Sequence, residues 1–276
     1  MEIARIIDAR TIHVFDLGQF DVDAIAHSGQ VFRWVHEGGA YKFFVGGHFA
    51  AVVAHADKAV VTCDEAGYFW RYFDFDTDYR AIAADLGNFP TMKKILDTTR
   101  AGGIRILRAP FVEMVVSFIV SANNNIKRFT RTLNTLCERF GTRKPWGFAF
   151  PTLQQLCHIT EADFSALGCG YRSGHLVRAI AELMLPAFDV EALRGLGDAE
   201  LERRLCGLGG VGPKVANCVM LFCGDFHRLG VAPRDTWINR ALEQIGDDRP
   251  ALLSHPFAGV AQQYLFYYLQ HLRKVI

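Results

Sequence analysis

Lys214 and Asp235 are the residues best suited to chemistry in this 276-residue chain. Lys214 closes the segment Leu205-Cys206-Gly207-Leu208-Gly209-Gly210-Val211-Gly212-Pro213-Lys214, where one helix should end and another begin. Pro213 suits a first helical position. Glycines at 209, 210 and 212 permit a sharp reversal and leave backbone N–H groups uncovered. At a helix N-terminus such groups form an anion site, and a DNA phosphate is a natural occupant. The same glycines would equally serve close packing in a plain helix–turn–helix connection.

A cation in the first turn of a helix opposes the helix dipole. Lys214 therefore reads as a phosphate contact or as an amine kept partly neutral. An ordinary lysine is only about 0.04% neutral at pH 7. Burial and nearby positive charge raise that fraction about tenfold per pKa unit, and a neutral amine is a Schiff-base nucleophile. A plain surface lysine fits the position as well. Asp235 follows 21 residues later (235 − 214 = 21), in Val231-Ala232-Pro233-Arg234-Asp235-Thr236-Trp237. An aspartate at such a loop-to-helix junction is an N-cap worth about 1 kcal/mol. The same carboxylate, aimed into a cleft, would stabilise positive charge developing on a sugar.

The elements that must position this pair change character along the chain. Short β-type runs occupy residues 12–15, 31–36, 41–45, 49–54 and 59–63, separated by breaks such as Glu37-Gly38-Gly39 and Gly46-Gly47. A short helix over 21–27 fits among them. Beyond about residue 65 the period becomes helical, with helices expected over 78–86, 91–100, 110–122, 126–140, 173–185, 198–206, 213–223, 235–245 and 256–272. Asp198 is expected to cap its helix, with Glu200 and Glu202 in the first turn. The fold class is α+β: an N-terminal antiparallel sheet domain with linking helices over 1–105, then an all-α body over 106–276.

Bulk properties bound the function less sharply. Half of the residues are hydrophobic and 12% aromatic, as in a globular protein with a sizeable core. A net charge of +1 gives no global basic signature, although a protein gripping short duplex needs only one basic face. Lys127, Arg128, Arg131, Arg143 and Lys144 cluster, which suits such a face or a solvated helix surface. Seven cysteines with no C-x-x-C pair argue against a disulfide framework or zinc site. Charges at Glu2, Arg5, Asp8 and Arg10 interrupt any signal-like apolar run. The apolar stretch 111–122 carries Glu113 and is too short to span a bilayer. A reduced, intracellular protein is expected, located in cytoplasm or nucleoid if bacterial and in the nucleus if eukaryotic.

The Leu-Gly-Gly-Val-Gly-Pro-Lys hairpin with its later Pro-x-Asp loop resembles the helix-hairpin-helix (HhH-GPD) DNA glycosylase superfamily. Four further segments resemble its 8-oxoguanine DNA glycosylase/AP lyase branch: Ser28-Gly29-Gln30-Val31-Phe32-Arg33-Trp34, residues 117–126, Leu167-Gly168-Cys169-Gly170-Tyr171-Arg172, and Gly259-Val260-Ala261-Gln262-Gln263-Tyr264-Leu265-Phe266. The resemblance implies a TATA-binding-protein-like sheet domain joined to the helical body. It implies Lys214 as the nucleophile at the sugar C1′, Asp235 as its electrostatic partner, and Gly209, Gly210, Val211 and Gly212 as the phosphate hairpin. Gly29 would offer its carbonyl to the N7–H that oxidised guanine carries and normal guanine lacks. Gln262 would read the flipped base's Watson–Crick edge, with Phe266 and Cys218 on its faces. Tyr171 would wedge into the duplex, and Asn123, Arg128 and Arg172 would hold the orphaned cytosine.

The implied activity is excision of 8-oxoguanine from duplex DNA, opposite cytosine, followed by lyase cleavage through a Lys214 Schiff base. The implied protein is a monomer that works on double-stranded DNA without cofactor or metal. Relatives with an iron–sulfur cluster carry four cysteines after the aspartate, and here no cysteine follows Cys223. Adenine-removing and alkylpurine relatives lack the lysine. Trp237 departs from the histidine that animal members carry at its place. Two alternatives stand beside this reading. One is a superfamily glycosylase acting on alkylated purines or oxidised pyrimidines. The other is a non-catalytic helix-hairpin-helix DNA-binding protein.

Overall fold

The computed structural model describes residues 2–186, 188–233 and 249–275, without the side chains of 249 and 271–275. Asp235, Trp237 and the helix expected over 235–245 lie outside the described residues. The fold is α+β, and the chain divides into two compact units: residues 1–43, 49–108 and 228–276, and residues 44–48 and 109–227.

The first unit is built on a six-stranded sheet of β1 (Ala4–Asp8), β2 (Thr11–Val14), β3 (Trp34–Glu37), β4 (Ala40–Val45), β5 (His48–Ala54) and β6 (Ala59–Cys63), ordered β1-β2-β6-β5-β4-β3. β2, β5 and β6 alternate strictly, so Ile12, Val14, Ala50, Val52, Ala59 and Val61 bury one face. Register follows that face, with Ile12 and Val52 both opposite Val61. α1 (Val22–His27) starts where the Asp21 carboxylate accepts from the Ala24 N–H at 2.9 Å. α2 (Ala66–Tyr72), α3 (Tyr79–Leu86) and α4 (Pro90–Thr98) complete the N-terminal portion. Phe73 joins helices to sheet, meeting Phe20 and Phe43 edge-on at 5.2 and 5.6 Å.

The second unit surrounds α5 (Phe111–Ser121), on which every residue from Glu113 to Val120 is buried. That explains its run of apolar residues without a polar stripe. Around it lie α6 (Ile126–Phe140), a two-stranded ribbon of β7 (Arg143–Lys144) and β8 (Gly147–Phe148), α7 (Leu153–Leu156), α8 (Glu161–Ala166), α9 (Arg172–Leu183), α10 (Val190–Arg194), α11 (Asp198–Leu205) and α12 (Pro213–Phe222). α11 is capped by Gly197 rather than Asp198, which sits inside the first turn, where its charge complements the dipole.

α13 (Arg249–Leu253) and α14 (Ala258–Val275) return to the first unit. The sequence alone groups everything after residue 105 as one body. The contacts group 228–276 with the sheet instead, because α14 packs on α4 and on the short 3₁₀ turn Ala101–Gly103. Among the described residues no helix is long and apolar enough to cross a membrane.

Candidate active site

The hairpin between α11 and α12 alternates in exposure. Gly209 and Val211 are buried, whereas Gly210 and Gly212 face outward. The buried N–H of Gly209 donates to the Glu182 carboxylate at 2.7 Å, and that of Val211 closes the turn on the Leu208 carbonyl at 3.1 Å. So two of the four expected phosphate-binding amides are spent internally, and the outward pair belongs to Gly210 and Gly212. Gly210 has φ +73°, and a β-carbon there would lie 2.6 Å from the His175 Cβ. That position demands glycine for conformation and for approach to α9 alike. Gly212 caps α12 without a side-chain bond, so the helix N-terminus points open peptide dipoles outward.

Lys214 lies half-buried in the first turn of α12, its Nζ 5.5 Å from the centre of the Phe118 ring. Phe118 in turn stacks on Phe222 at 5.7 Å. The aliphatic stem thus runs over an aromatic floor, which limits the rotamers open to the amine. Cys218, one helical turn further on, is buried. Asn217 shares that helix and buries an amide oxygen that has no hydrogen-bond partner among the described residues.

Around the start of α9 the structure gathers a second cluster. Tyr171 is 62% exposed, the most exposed of the large hydrophobic side chains among the described residues. Its hydroxyl reaches the Asn123 amide at 3.4 Å, and its ring packs at 4.4 Å on the Arg172 guanidinium. Asn123 holds φ +47°, a conformation asparagine tolerates better than most residues. Arg172 is buried. Its guanidinium donates to the carbonyls of Ala122 (2.7 Å), Asn123 (2.9 Å) and Cys169 (3.2 Å). An arginine so engaged fixes the loop that carries Asn123. Arg128 is exposed and spends one long 3.4 Å bond on the Gly168 carbonyl. Burial pushes the Cys169 thiol up to about 11 against the pull of Arg172.

A third cluster belongs to the first unit. Gly29 has φ +81°, and a β-carbon built there would lie 2.5 Å from Cε1 of Phe266. The ring therefore lies directly against the Gly29 backbone. Gln262, one turn before Phe266 on α14, is 8% exposed, and its buried amide oxygen has no hydrogen-bond partner among the described residues. Gly29 and Phe266 thus come together, with Gln262 one turn away on the same helix, as do Asn123, Tyr171 and Arg172.

Two family profiles meet along this chain. Residues 13–115 match that of the 8-oxoguanine DNA glycosylase N-terminal domain, and residues 116–250 that of the HhH-GPD superfamily base excision DNA repair protein. The chain belongs to the HhH-GPD superfamily. The crystal structure of Clostridium acetobutylicum 8-oxoguanine glycosylase/lyase in complex with double-stranded DNA containing cytosine opposite 8-oxoG superposes on it with a TM-score of 0.88 and 30% identity, covering 99% of this chain and 100% of that one. The N-glycosylase/DNA lyase of Saccharomyces cerevisiae is 38% identical over 50% of this chain and 40% of that protein. N-glycosylase/DNA lyase OGG1 of Arabidopsis thaliana is 30% identical over 76% of this chain and 62% of its own length. The chain thus spans less than two thirds of the length of these curated relatives.

Several residues of this HhH-GPD chain escape a reading by motif. Glu182 fixes the hairpin through Gly209, yet on α9 it is indistinguishable from any surface glutamate. His175 lies under Gly210 and meets the Tyr171 ring edge-on at 6.2 Å, so one α9 side chain touches both the hairpin and Tyr171. Only the i, i+4 spacing of Tyr171 and His175 hints at this. Gln263, beside Gln262 in the C-terminal motif, binds the Ser28 carbonyl through its side chain.

Proposed function

We propose that this protein is a bifunctional DNA glycosylase/AP lyase that excises 8-oxoguanine from duplex DNA opposite cytosine. The observation that carries the reading is the Gly29–Phe266 arrangement, with the buried Gln262 amide on the same helix. A planar base seated on Phe266 would lie beside the Gly29 backbone. There a carbonyl accepts an N7–H and repels the N7 lone pair of normal guanine. A base can reach such a pocket only when flipped out of the stack. Tyr171, exposed and braced by Arg172, is the side chain suited to fill the gap left behind. Asn123 and Arg128 offer donors to the orphaned cytosine.

Lys214 is the nucleophile in this scheme. Its nitrogen lone pair forms the bond to C1′, and the C1′–N9 bond breaks with its electrons leaving on the base, which is protonated as it departs. The sugar opens to a Schiff base on Lys214. Loss of a C2′ proton then expels the 3′ phosphate by β-elimination and nicks the strand. Asp235, placed by resemblance, would stabilise positive charge on the sugar. The outward amides of Gly210 and Gly212 would hold a phosphate, and no cofactor is required because the amine supplies the nucleophile. The protein would act wherever the genome is housed, as a monomer on its duplex.

Borohydride trapping tests the mechanism: wild-type protein should yield a covalent adduct with an 8-oxoguanine:cytosine duplex, and Lys214→Gln should yield none. An adduct that persists in the variant removes Lys214 from the role. A panel of lesions, each paired with all four bases, tests the substrate. Preferred release of an alkylated purine or oxidised pyrimidine would replace 8-oxoguanine, and no release under single-turnover conditions would point to a binding protein.

A further inference from the structure

We infer that Gln263 is a specificity-positioning residue, which aims the Gly29 carbonyl by holding the peptide before it. The inference rests on the reading of Gly29 as the group that tests N7. Gln263 is 2% exposed, and its side-chain amide donates to the Ser28 carbonyl, 235 residues away in sequence. A buried primary amide is costly unless bonded, so this contact is a defined one. The Ser28 carbonyl and the Gly29 N–H share one planar peptide unit. Holding the carbonyl therefore fixes the plane from which Gly29 turns through its φ of +81°.

The far side of Gly29 is held as well. The Gln30 side chain accepts from the Leu107 N–H at 2.8 Å and donates to the Arg105 carbonyl at 2.7 Å and the Ser28 hydroxyl at 2.9 Å. Gly29 is thus a free-turning residue between two clamped neighbours. Discrimination at N7 depends on that clamping, because a hydrogen bond weakens steeply once its angle drifts. Gln263 also lies between Gln262 and Phe266 on α14, so one helix sets the ring, the edge-reading amide and the carbonyl's direction together. Its contact reaches neither DNA nor Lys214 in this scheme.

The test compares two reactions that share Lys214. Cleavage at a preformed abasic site places no base in the pocket, whereas release of 8-oxoguanine does. Single-turnover rates of both are measured on otherwise identical duplexes for wild type, Gln263→Leu and Gln263→Met. The expected result is a fall of about tenfold or more in the ratio of base release to abasic-site cleavage, as for one lost hydrogen bond to an oriented group. Equal loss of both activities means a merely structural residue and overturns the inference, as does an unchanged ratio. Wild-type release of 8-oxoguanine is the separate check on the functional reading. Its absence overturns that reading together with the inference, whereas an unchanged ratio in an active protein overturns the inference alone.

Discussion

The Arg172 guanidinium holds the carbonyl of Asn123 at 2.9 Å, and Asn123 sits beside it at φ +47°. A long cationic side chain is here used inward, to fix a loop whose outward amide does the presenting. Arg172→Ala should therefore cost about 2–3 kcal/mol of stability, since the carbonyls of Ala122, Asn123 and Cys169 lose their donor. Arg128→Ala, at an exposed site, should change stability by no more than about 0.5 kcal/mol and instead weaken binding to duplex with cytosine opposite the lesion. Urea denaturation and DNA titration of both variants separate the two roles.

Gly29→Ala should lose both stability and base release. Strain at positive φ costs about 1–3 kcal/mol, and the new methyl meets Phe266 at 2.5 Å. In the double variant with Phe266→Ala the clash disappears and the φ strain stays. Thermal unfolding of the single and double variants should therefore show a favourable coupling between the sites, while base release stays low in both.

How much of this was legible in the residues varies with the physics involved. Strands β2, β5 and β6 alternate cleanly because one face is buried, and they fall where β-branched residues predict them. β1 (Ala4–Asp8) escaped notice because it is exposed along most of its length and carries Arg5 and Asp8, so no alternation marks it. The run 31–36 becomes a strand only from Trp34, since Val31 and Phe32 are buried beside the turn that carries Gly29. Capping boxes at Thr152–Gln155 and Thr160–Asp163 start two short helices that periodicity is too coarse to reveal. In the site, residue identity pointed to Gly29 and Phe266, which lie against each other, and to Gln262 one turn away. It could not tell that Arg172 faces inward, or that Glu182 and Gln263 bind backbone, because those facts depend on packing between segments far apart in the chain.

Glu182 holds the Gly209 N–H at 2.7 Å. Glu182→Ala leaves that buried donor unsatisfied and should cost about 1–3 kcal/mol, with weaker binding to undamaged duplex as the hairpin loosens. Glu182→Gln keeps an acceptor at the same place and should recover most of both losses. Chemical denaturation and a salt titration of DNA affinity measure the pair.

Asp23 supplies an acid-sensitive brace in the first unit. Burial acts to raise its pKa, but the hydrogen bond from Tyr41, at 2.5 Å, and the charges of His27 and Arg100 outweigh burial and leave it below the usual carboxylate value. A lowered folded-state pKa contributes stability that is present above the unfolded value and lost as pH falls through the folded one. Asp23→Asn should thus be less stable than wild type at neutral pH. The difference should shrink as pH drops below about 4, which urea titrations at a series of pH values will show.

Gln262, Gln263 and Phe266 fall within residues 262–266 of α14, so three of the groups that the proposed scheme uses to recognise the base occupy little more than one turn of one helix. The hairpin and Lys214, which in the proposed scheme hold a phosphate and attack the sugar, lie on separate elements. A lineage could therefore exchange its target lesion by substitutions in that turn while inheriting the cutting apparatus unchanged.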